Sequence, residues 1–90
     1  MKYFAVFLSM KSGALSKQHR PEHLAFLETH RNAGNILMNG RFTDGSGGLV
    51  IYRGEDESKI ESLVNEDPYI KLGARNYEIR EWDMESNYEF

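Results

Sequence analysis

The stretch K-Y-F-A-V-F-L, residues 2 to 8, is aromatic or aliphatic at every position after Lys2. A strand with one solvated face alternates apolar and polar residues, whereas a strand covered on both faces is apolar throughout. The stretch therefore predicts a central β-strand. It is too short to span a membrane, and no small-residue cleavage site follows it, as one would in a signal sequence.

The residues after this strand predict a loop, a helix and a hairpin. The Ser/Gly/Lys stretch from Lys11 to Lys17 is typical of a loop. Pro21 suits the first position of a helix, and Gly34 is well placed to end that helix. Two strand-like runs, residues 35–42 and 48–53, are joined by T-D-G-S-G. Asp-Gly between two such runs favours a β-hairpin.

The C-terminal half predicts one more helix and one more strand. Residues 56–66 carry apolar side chains at helical spacing, and Ser58 and Glu61 fit a capping box near the start of that helix. Pro68 would end the helix, because a proline disfavours helical geometry in the residue before it. Residues 75–82 alternate between polar and apolar side chains and predict an edge strand.

The predicted order is β-α-β-β-α-β, the ferredoxin-like arrangement of the α+β class. With right-handed crossovers the four-stranded antiparallel sheet has the order 4-1-3-2, and both helices cover one of its faces. The first strand is nevertheless apolar on both faces. Since no predicted helix remains to cover the second face, a homodimer joined through the sheet faces is expected.

Composition limits the class of protein. A chain of 90 residues buries one modest core, so residues 1–82 are expected to form a single domain and residues 83–90 an acidic tail. A net charge of -3 and a pI near 5.6 provide no basic field for phosphates, so nucleic acid is not an expected partner. The absence of cysteine rules out disulfides and thiol nucleophiles. No stretch reaches the length of a membrane span, and a cytoplasmic location is expected by default.

The strand directions place four chemically useful side chains at one end of the domain. If the first strand runs upward, the first helix begins at the top, where the hairpin and the end of the second helix also lie. His23, Asp44, Ser46 and Asp67 should therefore share that end. In the first turn of its helix, His23 would be held neutral by the helix dipole, and a carboxylate on its other nitrogen would make it a competent general base. Asp67 is the better partner, since Asp44 is needed by its own turn.

The same residues also allow other interpretations. The bond between His23 and Asp67 could merely close a helix end. His19 and His23 are spaced for a metal ion, but Pro21 lies between them and no HExxH pattern is present, so no metal is expected. His30 lies about 10 Å along the helix by its rise and suits a solvated or capping role. Ser46 lacks the strand-turn-helix context of a nucleophile, which favours turn chemistry.

Four motifs resemble the YCII-related, or YciI-like, family: R-P-E-H-L (20–24), G-R-F-T-D-G-S-G-G (40–48), E-D-P-Y-I (66–70) and Gly73. The resemblance covers nearly the whole chain, as far as Trp82. It implies a ferredoxin-like homodimer related to muconolactone isomerase and the dimeric α/β barrels, with an active site built on a His-Asp pair, here His23 and Asp67. One member is a dehydrochlorinase of chlorinated hydroxyquinols. Many relatives have Gly-Pro where this chain has Gly40-Arg41, and Arg41 is a candidate for attracting an anionic substrate.

Together, the residues and the resemblance predict a cofactor-independent lyase or isomerase that acts on a small hydroxylated aromatic or lactone-like metabolite. His23 would transfer the proton and Asp67 would orient it. The expected substrate-binding residues are Arg20, Arg41, Asp44, Ser46 and Gly47. Two alternatives stay open: a non-catalytic dimeric ligand-binding or stress-associated protein, and a cofactor-free monooxygenase of the dimeric-barrel type.

Overall fold

One four-stranded antiparallel sheet carries four helices in a computed structural model that describes residues 1–90. The elements are β1 (Lys2–Met10), α1 (Gly13–Gln18), α2 (Arg20–Asn32), β2 (Ile36–Arg41), β3 (Gly47–Gly54), α3 (Glu57–Val64), α4 (Pro68–Lys71) and β4 (Arg75–Trp82). The strand order is β2-β3-β1-β4, which is 4-1-3-2 when counted from the other edge. This confirms the predicted ferredoxin-like fold, with β1 and β3 in the centre.

The core lies between one face of the sheet and the longer helices. Its buried cluster is Phe4, Val6, Leu8, Leu27, Ile36, Val50, Tyr52, Ile60 and Val64. The members from β1 are alternate residues, because successive side chains of a strand point to opposite faces. Each large apolar side chain that is fully buried contributes roughly 1.5–3 kcal/mol relative to an exposed one. None of the helices is both long and apolar enough to cross a membrane.

The opposite face of the sheet is apolar and has no helix over it. Its two depressions, of about 460 and 350 Å³, are lined by residues of the strands and by Phe42. The apolar side chains there are Ala5, Phe7, Met38, Phe42, Leu49, Ile51 and Trp82. This set is called the open face below.

Two short helices were not predicted. α1 lies where a loop was expected, and Ser12 begins it by accepting a hydrogen bond from the Leu15 backbone N–H at 3.1 Å. α4 starts at Pro68, with Asp67 as its N-cap. Pro68 therefore separates two helices, because proline is well suited to the first position of the second one. Both helices are too short to show a hydrophobic period.

The capping box predicted for Ser58 and Glu61, in the helix that is α3 in the structure, was also wrong. Asp56 is the N-cap of α3, and its side chain accepts a hydrogen bond from the Lys59 backbone N–H at 2.9 Å. The Ser58 hydroxyl donates to the same carboxylate at 2.7 Å. These hydrogen bonds lower the pKa of Asp56, that from Lys59 being the strongest cause. Beyond Trp82, residues 83–90 form neither helix nor strand.

The hairpin between β2 and β3 depends on a glycine that packs against β1. Gly47 has a φ of +145°, a backbone conformation that side chains with a Cβ rarely adopt. A Cβ at this position would lie 2.1 Å from the Leu8 carbonyl oxygen. The glycine thus permits the close approach of the hairpin to β1 where the two strands begin to pair.

Replacing Gly47 with alanine should therefore destabilise the fold. We expect Gly47→Ala to lower the free energy of unfolding by at least about 2 kcal/mol, because it combines backbone strain with a backbone clash. Urea denaturation followed by circular dichroism measures this loss. The control is Gly13→Ala at the start of α1, where a Cβ meets no atom within 4 Å. A Gly47→Ala protein as stable as the control would contradict this account of the hairpin.

Candidate active site

His23 and Asp67 meet where α2 packs against α4. His23 lies in the first turn of α2, and Asp67 caps α4. The His23 Nδ1 and Asp67 Oδ1 atoms are 2.8 Å apart. The histidine is 8% exposed and the aspartate is fully buried. Topology predicted that these residues share one end of the domain, and the structure places them in direct contact.

The Asp67 carboxylate has a second role in the backbone of α4. Its Oδ1 atom also accepts a hydrogen bond from the Tyr69 backbone N–H at 2.9 Å. Its Oδ2 atom is buried without a hydrogen-bond partner. Burial raises the pKa of Tyr52 above its usual range, and the negative charge of Asp67 raises it further. The carboxylate therefore lies at the border of the apolar core, where the loss of a hydrogen-bond partner strongly lowers the stability of the fold.

The His23 ring stacks on Tyr69. The two ring centroids are 3.8 Å apart and the ring planes differ by 9°. The Tyr69 hydroxyl donates to the Ser16 carbonyl oxygen at 3.0 Å, and the Arg75 guanidinium lies 4.6 Å from the Tyr69 centroid. Burial raises the pKa of Tyr69, although Arg75 and Arg20 oppose the shift. Tyr69 therefore remains a neutral phenol that holds the imidazole plane in place at neutral pH.

Arg75 is fixed by contacts with α1 and β1. Its Nε donates to the Ser16 hydroxyl at 2.9 Å, and its Nη1 donates to the Leu8 carbonyl oxygen at 3.4 Å. Ser16 is itself buried. Helix α1, which was not predicted, thus holds the Arg75 side chain in place over the Tyr69 ring. Sequence reasoning missed both Tyr69 and Arg75, although Tyr69 lies inside the E-D-P-Y-I motif.

A cleft of about 140 Å³ opens beside His23. Its walls come from α2, from the ends of β2 and β3 that meet at the hairpin, and from the Tyr69–Arg75 pair. Since Asp67 engages Nδ1 of the histidine, Nε2 is the ring nitrogen left for a ligand. It makes no hydrogen bond within the chain.

The five predicted substrate-binding residues separate into two groups. Arg20 and Arg41 line the cleft, and Gly47 lines a cavity that adjoins it. Asp44 and Ser46 line neither cavity, because the Asp44 carboxylate accepts the Ser46 backbone N–H at 2.9 Å within its own turn. Hydrogen bonds from the Ser46 side chain and backbone lower the pKa of Asp44. The assignment of these two residues to substrate binding stays a prediction.

The other two histidines lie apart from this contact. His19 is the N-cap residue of α2, and its Nδ1 lies 2.9 Å from the Glu22 carboxylate. His30 is near the far end of α2, with its Nδ1 3.0 Å from the Asn35 amide nitrogen. No group of three or more His, Cys, Asp or Glu side chains is arranged to hold a metal ion.

The chain matches a known protein family. The model of the YCII-related domain matches residues 1–83. The chain belongs to the YCII-related family. A relative of this YCII-related protein is the uncharacterized protein YjpA of Bacillus subtilis (strain 168), which is 23% identical over 82 residues, or 91% of this chain and 96% of YjpA.

A solved structure shares the fold of this YCII-related protein. It is the 5-chloro-2-hydroxyhydroquinone dehydrochlorinase TftG from Burkholderia phenoliruptrix AC1100, in complex with 2,5-dihydroxybenzoquinone. The two structures match with a TM-score of 0.76 and 22% sequence identity, over 90% of this chain and 93% of TftG. The family match and this likeness confirm the family and the fold that the four motifs indicated.

Removing the Asp67 carboxylate should cost more than the loss of an ordinary helix cap. We expect Asp67→Ala to lower the free energy of unfolding by about 2–4 kcal/mol, since it removes the cap of α4 and leaves the buried His23 Nδ1 without a partner. The matched control is Asp56→Ala, which removes the exposed cap of α3. Urea denaturation compares the two variants, and equal losses would show that the buried contact adds nothing to stability.

Proposed function

We propose that the protein is a cofactor-independent lyase or isomerase in which His23 transfers a proton and Asp67 orients and charges the histidine. The observation that carries this proposal is the buried 2.8 Å contact between His23 Nδ1 and Asp67 Oδ1. It leaves Nε2 as the only ring nitrogen available at the cleft. A lone surface histidine would have no such fixed orientation.

The contact assigns the tautomer of the neutral ring. A carboxylate accepts hydrogen bonds, so the ring proton is placed on Nδ1 and the lone pair on Nε2. With this arrangement Nε2 can take a proton from a hydroxyl group or from an acidic carbon. The Asp67 charge then stabilises the imidazolium that forms. Tyr69 keeps the ring plane fixed while the charge on the ring changes.

The reaction class is drawn from the structural neighbour. A dehydrochlorination removes a proton and a chloride ion from one molecule, so a single acid/base group can assist it without a redox cofactor. We propose a small hydroxylated aromatic or lactone-like substrate for the same reason, with Arg20 and Arg41 among its binding groups. Asp44 and Ser46 are not part of this proposal, because their polar groups are used within the turn.

Substitution of the histidines tests this function directly. With 5-chloro-2-hydroxyhydroquinone as the first substrate, we expect His23→Ala to lower the rate of chloride release about 10²–10⁴-fold, the usual contribution of general acid/base catalysis. Asp67→Asn should also slow the reaction, because the amide lacks the charge that stabilises imidazolium. His30→Ala is the matched control on the same helix and should retain the wild-type rate.

The outcome of this comparison separates catalysis from simple ligand binding. Equal rates in His23→Ala and His30→Ala would overturn the assignment of His23. A wild-type protein that binds 2,5-dihydroxybenzoquinone but turns over no hydroxyquinol, chlorinated or not, would favour the non-catalytic ligand-binding function instead.

We also propose that two copies pair through their open faces. This face carries aromatic and aliphatic side chains from all four strands, and an apolar patch of this kind is unusual on the surface of a monomer. Trp82 is 45% exposed and Met38 is 43% exposed on this face. Pairing of two identical faces about a two-fold axis would remove both side chains from water.

A charge placed in the open face should prevent this pairing. Phe7 lies on β1 opposite Leu49 and Glu78 on the neighbouring strands, so Phe7→Asp would set a second carboxylate beside Glu78 in the interface. We expect sedimentation velocity to show a dimer for the wild type and a folded monomer for Phe7→Asp. Leu72→Asp, which changes an exposed leucine outside the sheet, should remain dimeric. A stable wild-type monomer in dilute solution would refute the pairing.

A further inference from the structure

Three arginines of the cleft have no carboxylate partner. Arg20, Arg41 and Arg75 all line the cleft beside His23, and none of them lies within 4.0 Å of an acidic side chain; the four ion pairs of the chain involve other basic residues. Carboxylates are not scarce, since the chain has 14 Asp and Glu residues against 11 Lys and Arg. The distinguishing feature of this site is that three such guanidinium groups line one cleft.

The positive charge extends into the adjoining cavity. That cavity, of about 220 Å³, shares Arg20, Arg41, Arg75 and Tyr69 with the cleft and adds Lys17. No Asp or Glu lines either cavity. Like charges gathered around a concave surface raise the local concentration of anions there. The two cavities thus form a concave surface whose charged side chains are all basic, which favours an anionic ligand.

The arginines differ in how firmly they are held. Arg75 is anchored by its bonds to Ser16 and Leu8 and by its position over Tyr69. The guanidinium groups of Arg20 and Arg41 make no hydrogen bond within the chain, so their donors are free for a ligand. The planar guanidinium matches the two oxygens of a carboxylate better than a lysine ammonium does.

The size and the apolar wall of the cleft restrict the rest of the ligand. A cavity of about 150 Å³ lined by apolar side chains is enough to hold benzene, and the cleft measures about 140 Å³. Leu24, Leu27 and Leu49 supply apolar surface within it. One six-membered ring fits this space.

We propose that the natural ligand is a small single-ring carboxylate, with its carboxylate bound by the arginine cluster of Arg20, Arg41 and Arg75 and its ring beside His23 Nε2. This inference rests on the proposed function for its chemistry, and it narrows the substrate to an anion. Binding of the anion offsets part of the positive charge of the three arginines. His23, which is more than nine-tenths buried, then faces the ring with its free nitrogen.

A pair of probes with the same shape and different charge tests this assignment. Benzoate and benzamide differ chiefly in the negative charge, and neither carries a proton that His23 must remove. Isothermal titration of the full-length wild-type protein at low ionic strength should show binding of benzoate at millimolar concentration and no binding of benzamide. Added sodium chloride should weaken the benzoate affinity, since the arginines are partly exposed to solvent.

Charge-removing variants locate the binding. Arg41→Gln deletes a guanidinium that makes no hydrogen bond or ion pair within the chain, so the fold should survive. We expect its benzoate affinity to fall at least about tenfold, as for a charge-assisted hydrogen bond. Arg20→Gln provides a second, independent variant of the same kind. Lys59→Gln removes one positive charge from an exposed position of α3 and should bind benzoate like the wild type.

Each opposing result has a separate meaning. The carboxylate assignment is overturned if benzamide binds as tightly as benzoate, if phenyl phosphate binds more tightly, or if both arginine variants retain the wild-type affinity. It is also overturned if benzoate fails to bind while a neutral hydroxyquinol is turned over. Benzoate binding in a protein whose turnover does not depend on His23 would instead overturn the catalytic proposal and leave the anion site standing.

Discussion

The buried carboxylate of Asp67 is the constraint around which this end of the domain is arranged. A charged group that is withdrawn from water is tolerated only when nearby donors compensate for its lost hydration. Here the donors are the Tyr69 backbone N–H, at the start of α4, and the His23 ring, in the first turn of α2. One oxygen atom thus joins two helices through a contact between residues that lie 44 positions apart in the sequence. A change at Asp67 would disturb helix capping, helix packing and the orientation of His23 together.

The sheet determines why this junction lies beside a cleft. Because β2 and β3 form a hairpin whose turn points to the same end as the start of α2, Arg41 and the glycines of the hairpin close one side of the space next to His23. Gly40 and Gly48 lack side chains there, which leaves room between the strands and α2. The opposite side is closed by Tyr69 and Arg75. The opposite side of the same strands forms the open face. The site and the proposed dimer surface are therefore built on the same strands.

Much of this could be predicted because the decisive signals were regular. The apolar residues of β1 indicated a central strand, and the handedness of crossovers then fixed the strand order and brought His23 to Asp67.

The parts that could not be predicted depend on short-range or tertiary detail. α1 and α4 have six and four residues, too few for a hydrophobic period. Their N-cap residues, Ser12 and Asp67, are also residue types that are common in turns. The stack of His23 on Tyr69 needs α4, and the position of Arg75 needs α1, so neither contact could be inferred without those helices. The Asp44 carboxylate completes the turn in which it lies, as the sequence indicated.

The stacked arrangement also couples the arginine cluster to the histidine. Arg75 lies over the Tyr69 ring that the His23 ring contacts, and Asp67 binds both the His23 ring and the Tyr69 backbone N–H. Tyr69 therefore touches the cationic side of the cleft and both members of the His23–Asp67 pair. Because the Tyr69 hydroxyl is bound to the Ser16 carbonyl oxygen and Arg75 to the Ser16 hydroxyl, α1 fixes the position of both groups. A ligand bound by the arginines would thus lie next to the histidine at a position that α1 and α4 determine together.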